Sequence, residues 1–326
     1  MLERKTWIDL LRGICMLAIL LDHTELYYTG GNIIDYNFYV VNALVVFFFL
    51  SGYLFFKNEA FSLQRKLKSV GQSIIMPYFI FTTVIAVPKA LVHGHNISDT
   101  LMTIVTGEAS WFVAALAVSE IVFAILLWIT KSKTWILSTV AITSLIICTL
   151  LPSYTDTYWQ LENACFALPI LYSGYLYHQY EKVFNRFNTP SSISFLFILL
   201  VIIKVYEYKH GINLLIEPIA VNNWATFIID SIIATLFLVS LAKQLPTNRP
   251  IEWIGAHSIV YYFMSGGIPL LVAKALQKAN LPYQGQYHRV VIAFLLVCFF
   301  ASIVTWLIYR YIPFITGRKP TARKIN

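Results

Sequence analysis

Long apolar runs constrain the fold of this sequence more than any other feature. About ten follow one another along the chain, at about 6–28, 37–56, 73–92, 111–129, 135–151, 164–180, 193–208, 224–242, 252–273 and 290–309. Most are long enough to cross the roughly 30 Å hydrocarbon core of a bilayer as helices. A soluble domain cannot bury so much apolar surface, since 58% of the 326 residues are hydrophobic and only 12% are charged. We therefore predict an all-α fold, a polytopic membrane helix bundle of about ten transmembrane helices.

The distribution of Lys and Arg predicts how these spans are oriented. With a cytoplasmic N-terminus, most of the 24 Lys and Arg residues fall in inner segments, from Arg4 and Lys5 to a short basic tail that starts at about residue 310. This bias predicts two cytoplasmic termini and an even number of spans. It also accounts for the net charge of +8, because cytoplasmic loops collect Lys and Arg, so we predict membrane lipids and no nucleic acid as partners. No linker or repeat interrupts the pattern, so we predict one membrane domain over residues 1–326.

The first run carries more charged and polar side chains than a lipid-facing helix tolerates. Arg12 and His23 are eleven residues apart, which is three helical turns plus about 20°, so they share one face and lie about 16 Å apart along the axis. We expect that face to line a polar cavity. The alternatives are structural: Asp9 neutralises Arg12 three residues away, and His23 is a hydrogen-bonded histidine near a helix end.

Two further groups of polar residues have open alternatives. Glu120 lies about nine residues into the fourth run, where it either meets a cation or a substrate hydroxyl, or joins two helices by a hydrogen bond. Arg65 and Lys68 belong to a basic, amphipathic polar connection at about 57–72. This connection either binds lipid headgroups or receives an anionic cytosolic ligand.

Motifs of soluble enzymes and of metal sites are absent. The sequence has no GxSxG, P-loop, post-strand GxGxxG or HExxH motif. Its four cysteines lie inside apolar runs without a CxxC spacing, so we predict small buried side chains and no metal site.

Several motifs, in order along the chain, resemble those of the integral-membrane acyltransferase family 3. The resemblance covers nearly the whole chain. It is carried by Trp7-Ile-Asp-Leu-Leu-Arg12-Gly-Ile with Leu-Asp-His23, Phe47-Phe-Phe-Leu-Ser-Gly-Tyr53, the basic run before Pro77-Tyr78, Gly107-Glu-Ala-Ser-Trp111-Phe, Leu171-Tyr-Ser-Gly174-Tyr, and Ile254-Gly255-Ala-His-Ser258-Ile-Val-Tyr-Tyr262.

This resemblance implies an activity and assigns roles to residues. The implied reaction transfers an acyl group, most often acetyl from cytosolic acetyl-CoA, to a hydroxyl of an extracytoplasmic or lipid-linked glycan. Arg12 and His23 match the pair that the family needs for activity, with His23 as general base or as covalent acyl relay. Arg12, Arg65 and Lys68 would meet the phosphates of acetyl-CoA. Glu120 and Trp111 are further candidate substrate contacts, and the implied location is a bacterial inner membrane.

The sequence departs from the family pattern at one position and leaves one competing function open. Many members have a histidine just after the tyrosine of the ninth run, where this chain has Ser265, so we transfer no role to that position. The competing function is export of a surface polysaccharide or lipid-linked sugar. An exporter needs a polar cavity but no histidine that transfers a proton, and this difference separates the two hypotheses.

Overall fold

The computed structural model is nearly all helical, as the apolar runs predict. It describes residues 5–57, 59, 61–94 and 96–317, so Arg4 and the basic tail from Arg318 lie outside the described residues. The helices are α1 (Thr6–Thr29), α2 (Tyr36–Tyr53), α3 (Leu63–Val70), α4 (Met76–His93), α5 (Ile97–Val105), α6 (Trp111–Ile129), α7 (Thr134–Leu150), α8 (Leu161–Gln179), α9 (Glu181–Phe184), α10 (Pro190–His210), α11 (Trp224–Gln244), α12 (Arg249–Ala256), α13 (Ser258–Met264), α14 (Gly267–Lys278) and α15 (Tyr287–Tyr311).

Within the described residues, six helices are long and apolar enough to cross a membrane, or seven if the bent pair α13 and α14 counts as one span. Three further helices coincide with predicted runs but do not meet the same test. Helix α1 has 24 residues but carries Asp9, Arg12, Asp22 and Glu25. Helix α7 has only 17 residues, and α8 is more polar. The chain is therefore a polytopic helical membrane protein, while about ten spans and two cytoplasmic termini stay predictions.

Contacts divide the chain into two compact units. The first contains residues 1–47, 182–215 and 221–308, and the second contains residues 48–181, 216–220 and 309–326. Both units are built from segments that are distant in sequence, and a single domain over residues 1–326 stays a prediction.

Close helix crossings at glycine hold each unit together. In the first unit, a Cβ on Gly13 of α1 would overlap the carbonyl oxygen of Ile251, and one on Gly255 of α12 would overlap that of Asp9. In the second, Gly52 and Gly174 bring α2 and α8 together in the same way, against backbone atoms of Leu171 and Phe49. Small residues allow such backbone approach between membrane helices, where apolar burial alone gives little driving force.

The basic connection predicted at about 57–72 is a helix in its second half. Ser62 caps α3 by accepting a hydrogen bond from the Arg65 amide, and α3 continues through a π-helical turn, Gly71–Ile75, into α4. This half of the polar connection is helical because its charged residues are good helix formers, and only Gly71 interrupts them.

Two other features differ from the sequence-based expectation. The ninth apolar run is broken into α12, α13 and α14, and α13 and α14 are bent by 49° across Ser265 and Gly266, which separate them. Glycine weakens a helix and Pro269 follows within the first turn of α14, so a bend there is expected physically. A small two-stranded sheet, β1 (Leu214–Ile216) and β2 (Ile219–Val221), also joins α10 to α11.

The four cysteines are less uniformly buried than predicted. Cys15 and Cys148 are buried, whereas Cys165 and Cys298 are partly exposed. In the second unit, Ser144 of α7 donates a hydrogen bond to the Cys165 carbonyl oxygen (2.7 Å), which joins α7 to α8.

Candidate functional site

Helix α1 carries both residues of the predicted catalytic pair on one uninterrupted helix of 24 residues. The helix ends where Gly30 adopts a left-handed conformation (φ 84°), so the eleven-residue spacing from Arg12 to His23 is helical throughout. Arg12 and His23 are both partly exposed, whereas most residues between them are buried. The expectation that they share one face of a helix therefore agrees with the backbone of α1.

The ring of His23 is held by its own helix. Nδ1 lies 2.9 Å from the carbonyl oxygen of Ile19. A carbonyl oxygen only accepts, so Nδ1 carries the hydrogen and donates it. Nε2 then has the free lone pair, and it makes no hydrogen bond with the residues that the structure describes. This is the tautomer that a general base or a nucleophile requires.

Two acidic residues next to His23 organise the loop after α1. Asp22 accepts a hydrogen bond from the side chain of Asn32. Glu25 is fully buried, and its Oε2 accepts from the amides of Ile33 (2.8 Å) and Ile34 (2.9 Å). A carboxylate that accepts several amide hydrogens fixes the loop that donates them. The sequence analysis assigned no such role to Glu25.

Tyr287 completes the surroundings of Glu25. Its hydroxyl donates to Oε1 of Glu25 at 2.7 Å, so both carboxylate oxygens are engaged. Tyr287 begins α15, and 262 residues separate it from Glu25 in the sequence. Only a long-range contact prediction could have found this pair. The pair ties the end of α1 to the start of α15 within the first unit.

Glu120 forms a buried polar group within the second unit. Its Oε2 lies 2.8 Å from the Nζ of Lys66, and its Oε1 accepts from the hydroxyl of Ser51. The Lys66 ammonium also lies 3.7 Å from the ring centre of Phe55. Glu120 thus meets a cation of its own chain and joins α6 to α2 and α3. Its predicted contact with substrate stays a prediction.

The basic residues of α3 occupy different environments. Lys66, on the buried side, was not selected from the sequence as a site residue, and its side chain is 22% exposed. Arg65 is 75% exposed and lies 3.9 Å from Glu59, and Lys68 is exposed. Arg65 and Lys68 are therefore accessible to a soluble anion, as their predicted role requires. The helical period of α3 separates them from Lys66.

Trp111 packs against a neighbouring aromatic ring, and Ser265 makes a hydrogen bond to a nearby backbone carbonyl. Trp111 begins α6 and packs edge-on against Phe112, with ring centres 5.6 Å apart. Its predicted contact with substrate stays a prediction. Ser265, at the position where many family members have a histidine, donates a hydrogen bond to the Tyr262 carbonyl oxygen at 2.7 Å and is buried.

Comparison with known proteins identifies the family. Residues 5–310 match the model of the acyltransferase 3 family, described as an acyltransferase domain. No curated protein and no solved structure matches the chain. The matched segment includes α1 with Arg12 and His23, the basic helix α3, and Glu120. The chain therefore belongs to the acyltransferase 3 family and is a membrane acyltransferase.

Proposed function

We propose that the protein transfers an acetyl group from cytosolic acetyl-CoA to a hydroxyl of an extracytoplasmic or lipid-linked glycan, with His23 at the reacting atoms. The observation that carries this proposal is the hydrogen bond from Nδ1 of His23 to the Ile19 carbonyl oxygen, which leaves Nε2 as a base. The family supports acyl transfer, and the acetyl group and the glycan acceptor are parts of the proposal.

The charges of the chain support a polyanionic donor. Acetyl-CoA carries phosphates, and Arg65 and Lys68 are exposed on one short helix. Guanidinium and ammonium groups bind phosphate oxygens strongly. Arg12 lies about three helical turns from His23 along α1, and in this proposal it orients the extended donor toward Nε2.

The transfer step can be written with His23 as general base. Nε2 accepts the proton of the acceptor hydroxyl while the hydroxyl oxygen attacks the thioester carbonyl carbon. The tetrahedral intermediate collapses, the C–S bond breaks, and the coenzyme A sulfur leaves with the proton from Nε2. In the relay version, Nε2 attacks the thioester carbonyl carbon, the C–S bond breaks and coenzyme A leaves as its thiolate. The acceptor oxygen then attacks the acetyl carbon on Nε2, the bond from that carbon to Nε2 breaks, and the hydroxyl proton passes to the thiolate. Nδ1 stays bonded to Ile19 in both.

Labelled acetyl-CoA supplied to inverted membrane vesicles tests the proposal. We expect label to enter a glycan or glycolipid with the wild type and to fall by about 10²- to 10⁴-fold with His23→Asn at matched expression. The asparagine amide keeps a donor near the position of Nδ1 but has no group at Nε2. Persistent transfer at the wild-type rate with His23→Asn would refute the role of His23.

His257 provides a matched control. Its Nδ1 lies 2.6 Å from the Trp253 carbonyl oxygen, the same backbone contact four residues back in a helix. We expect His257→Asn to retain transfer, since the backbone bond alone does not make a histidine catalytic. If instead the glycan itself disappears from the cell surface with His23→Asn while acetyl transfer is absent from the wild type, export becomes the supported function.

A further inference from the structure

A cavity of about 400 Å³ lies in the first unit, at the start of α2 and the end of α10. Its walls include Asp35 and Asn37 before and in the first turn of α2, Glu207 and Tyr208 in the last turn of α10, and Asn213 beyond it. This volume lies in the range of small-molecule sites. The proposed reaction uses none of these residues.

One wall of the cavity contains buried charged groups, and one carboxylate oxygen among them lacks a hydrogen-bond donor within the described residues. Lys204 of α10 donates to Oδ2 of Asp230 (2.9 Å), to Oε2 of Glu207 (3.1 Å) and to the carbonyl oxygen of Asn37. Glu207 is only 3% exposed, yet its Oε1 has no hydrogen-bond partner among the described residues. Buried carboxylate oxygens are nearly always satisfied, and Glu207 lines the cavity, so we assign a ligand hydroxyl or N–H group as the partner of Oε1.

The remaining polar side chains offer both donors and acceptors. Asp35 caps α2 by accepting the amide hydrogen of Asn37 (2.7 Å) through Oδ1. The amide oxygens of Asn37 and Asn213 accept backbone hydrogens of Leu214 and Leu215, which leaves the NH₂ group of each amide for another acceptor. Paired donors and acceptors of this kind match hydroxyl groups, each of which donates and accepts.

Aromatic rings flank the polar groups. Tyr208 is 74% exposed and Phe38 is 40% exposed, and their ring centres are 6.2 Å apart. An exposed aromatic face beside carboxylates and amides suits a ligand with one apolar face and a rim of hydroxyls, such as a sugar ring. Asp35 and Glu207 disfavour an anionic ligand, because Lys204 is already shared by two carboxylates.

We infer that this cavity binds a neutral or amino sugar ring of the acyl acceptor, an inference that rests on the proposed function and specifies its substrate. The loop after α1 connects the two places within the first unit. Asn32 bonds to Asp22, the neighbour of His23, and Asp35 lines the cavity three residues later. Three residues span at most about 11 Å, so one loop contacts both the helix of His23 and the cavity.

Saturation-transfer NMR on the full chain in phospholipid nanodiscs tests the inference with three probes: the methyl glycosides of glucose, of N-acetylglucosamine and of glucuronic acid. We expect saturation transfer to one or both of the uncharged glycosides and none to glucuronide. Tyr208→Ala should weaken binding by about tenfold, the cost of losing one aromatic contact. Glu207→Gln, which keeps the size of the side chain, should weaken it as well.

Tyr206→Ala is the matched control, because Tyr206 is exposed on the same helix but packs on His210 and does not line the cavity. We expect Tyr206→Ala to bind the glycosides as strongly as the wild type does. Three results would overturn the inference. They are no saturation transfer to either uncharged glycoside, binding of the glucuronide as strong as that of the uncharged glycosides, and an equal loss of glycoside binding in Tyr208→Ala and Tyr206→Ala. Comparing methyl with long-chain alkyl glycosides distinguishes a soluble saccharide from a glycolipid headgroup.

The same variants separate this inference from the proposed function. His23→Asn should bind the glycoside as the wild type does while acetyl transfer is lost. Glycoside binding without any acetyl transfer by the wild type would leave the cavity assigned and refute the proposed function. Acetyl transfer that is unaffected by Tyr208→Ala, together with no glycoside binding, would refute the cavity assignment alone.

Discussion

Lys66 and Glu120 form an ion pair in which both side chains are largely buried, at 22% and 10% exposure. Replacing Lys66 by Met leaves the Glu120 carboxylate without its cation in a poorly solvated place. Removing one partner of a buried pair costs about 3–5 kcal/mol, far more than the net contribution of the pair itself. We therefore expect Lys66→Met to lower the free energy of unfolding by that amount, measured by denaturation with dodecyl sulfate in mixed micelles.

Arg65 supplies the control for this prediction, one residue away on the same helix. Its contact with Glu59 is 3.9 Å long and both side chains are 75% exposed, so Arg65→Met should change stability by less than about 1 kcal/mol. The double variant Lys66→Met with Glu120→Gln should recover part of the loss. Equal effects of Lys66→Met and Arg65→Met would show that the buried pair has no special energetic role.

At the scale of residues, the sequence could predict what lies on one helix and not what lies across helices. Arg12 and His23 share a face because helical geometry relates positions eleven residues apart. The side-chain partners of Glu120 and Glu25 are far away in sequence: Ser51 is separated from Glu120 by 69 residues and Tyr287 from Glu25 by 262. Helical periodicity carries no information about such pairs, so Ser51, Lys66 and Tyr287 were missed as parts of these groups.

Helix packing in the first unit depends on Gly255, where α12 crosses α1. A methyl group at this position would overlap the carbonyl oxygen of Asp9, which is a backbone atom and cannot turn away. We expect Gly255→Ala to separate the two helices and to destabilise the protein by about 1–3 kcal/mol or more. Because Arg12 lies on α1 beside this crossing, acetyl transfer should fall as well.

Gly267→Ala is the corresponding control. Apart from its chain neighbours and its own helix backbone, no atom of the described residues lies within 4 Å of a Cβ placed on Gly267, and its backbone conformation is accessible to alanine. Stability and acetyl transfer should stay close to the wild-type values for this variant. The free energies of unfolding of both variants are measured by denaturation in mixed micelles. A Gly255→Ala protein as stable as the wild type would show that the crossing can relax.

At the scale of elements, the apolar runs located nearly every long helix, because length and hydrophobicity determine helices of this kind. They failed where local composition was ambiguous. The charged segment of α3 is polar enough for a loop but has helix-forming residues, and the ninth run is apolar enough for a straight helix but contains Gly266 and Gly267. The strands β1 and β2 are three residues each, too short for a pattern to indicate.

For the whole molecule, charge distribution and helix length give different information about topology. The excess of Lys and Arg in alternate connections predicts an even number of spans with cytoplasmic termini. Six helices, or seven with the bent pair, satisfy length and composition in the described part of the chain. The difference from ten comes from α1, α7 and α8. The charges on α1 are those of the candidate site, so the helix that is least typical of a span is the one that carries the proposed chemistry.

Helix α7 provides the sharpest test of this topology. Its 17 residues extend about 25 Å, slightly less than the hydrocarbon core, so it either spans a locally thinned bilayer or lies within the protein without crossing. Ten spans place the α6–α7 connection inside and the α7–α8 connection outside. We expect Thr155→Cys to react with a membrane-impermeant maleimide on intact cells and Ser132→Cys to react only after permeabilisation, both in a background where the four native cysteines are replaced by Ala. Reaction of both on the same side would mean that α7 does not cross, which would make the number of spans odd or require another helix to replace it.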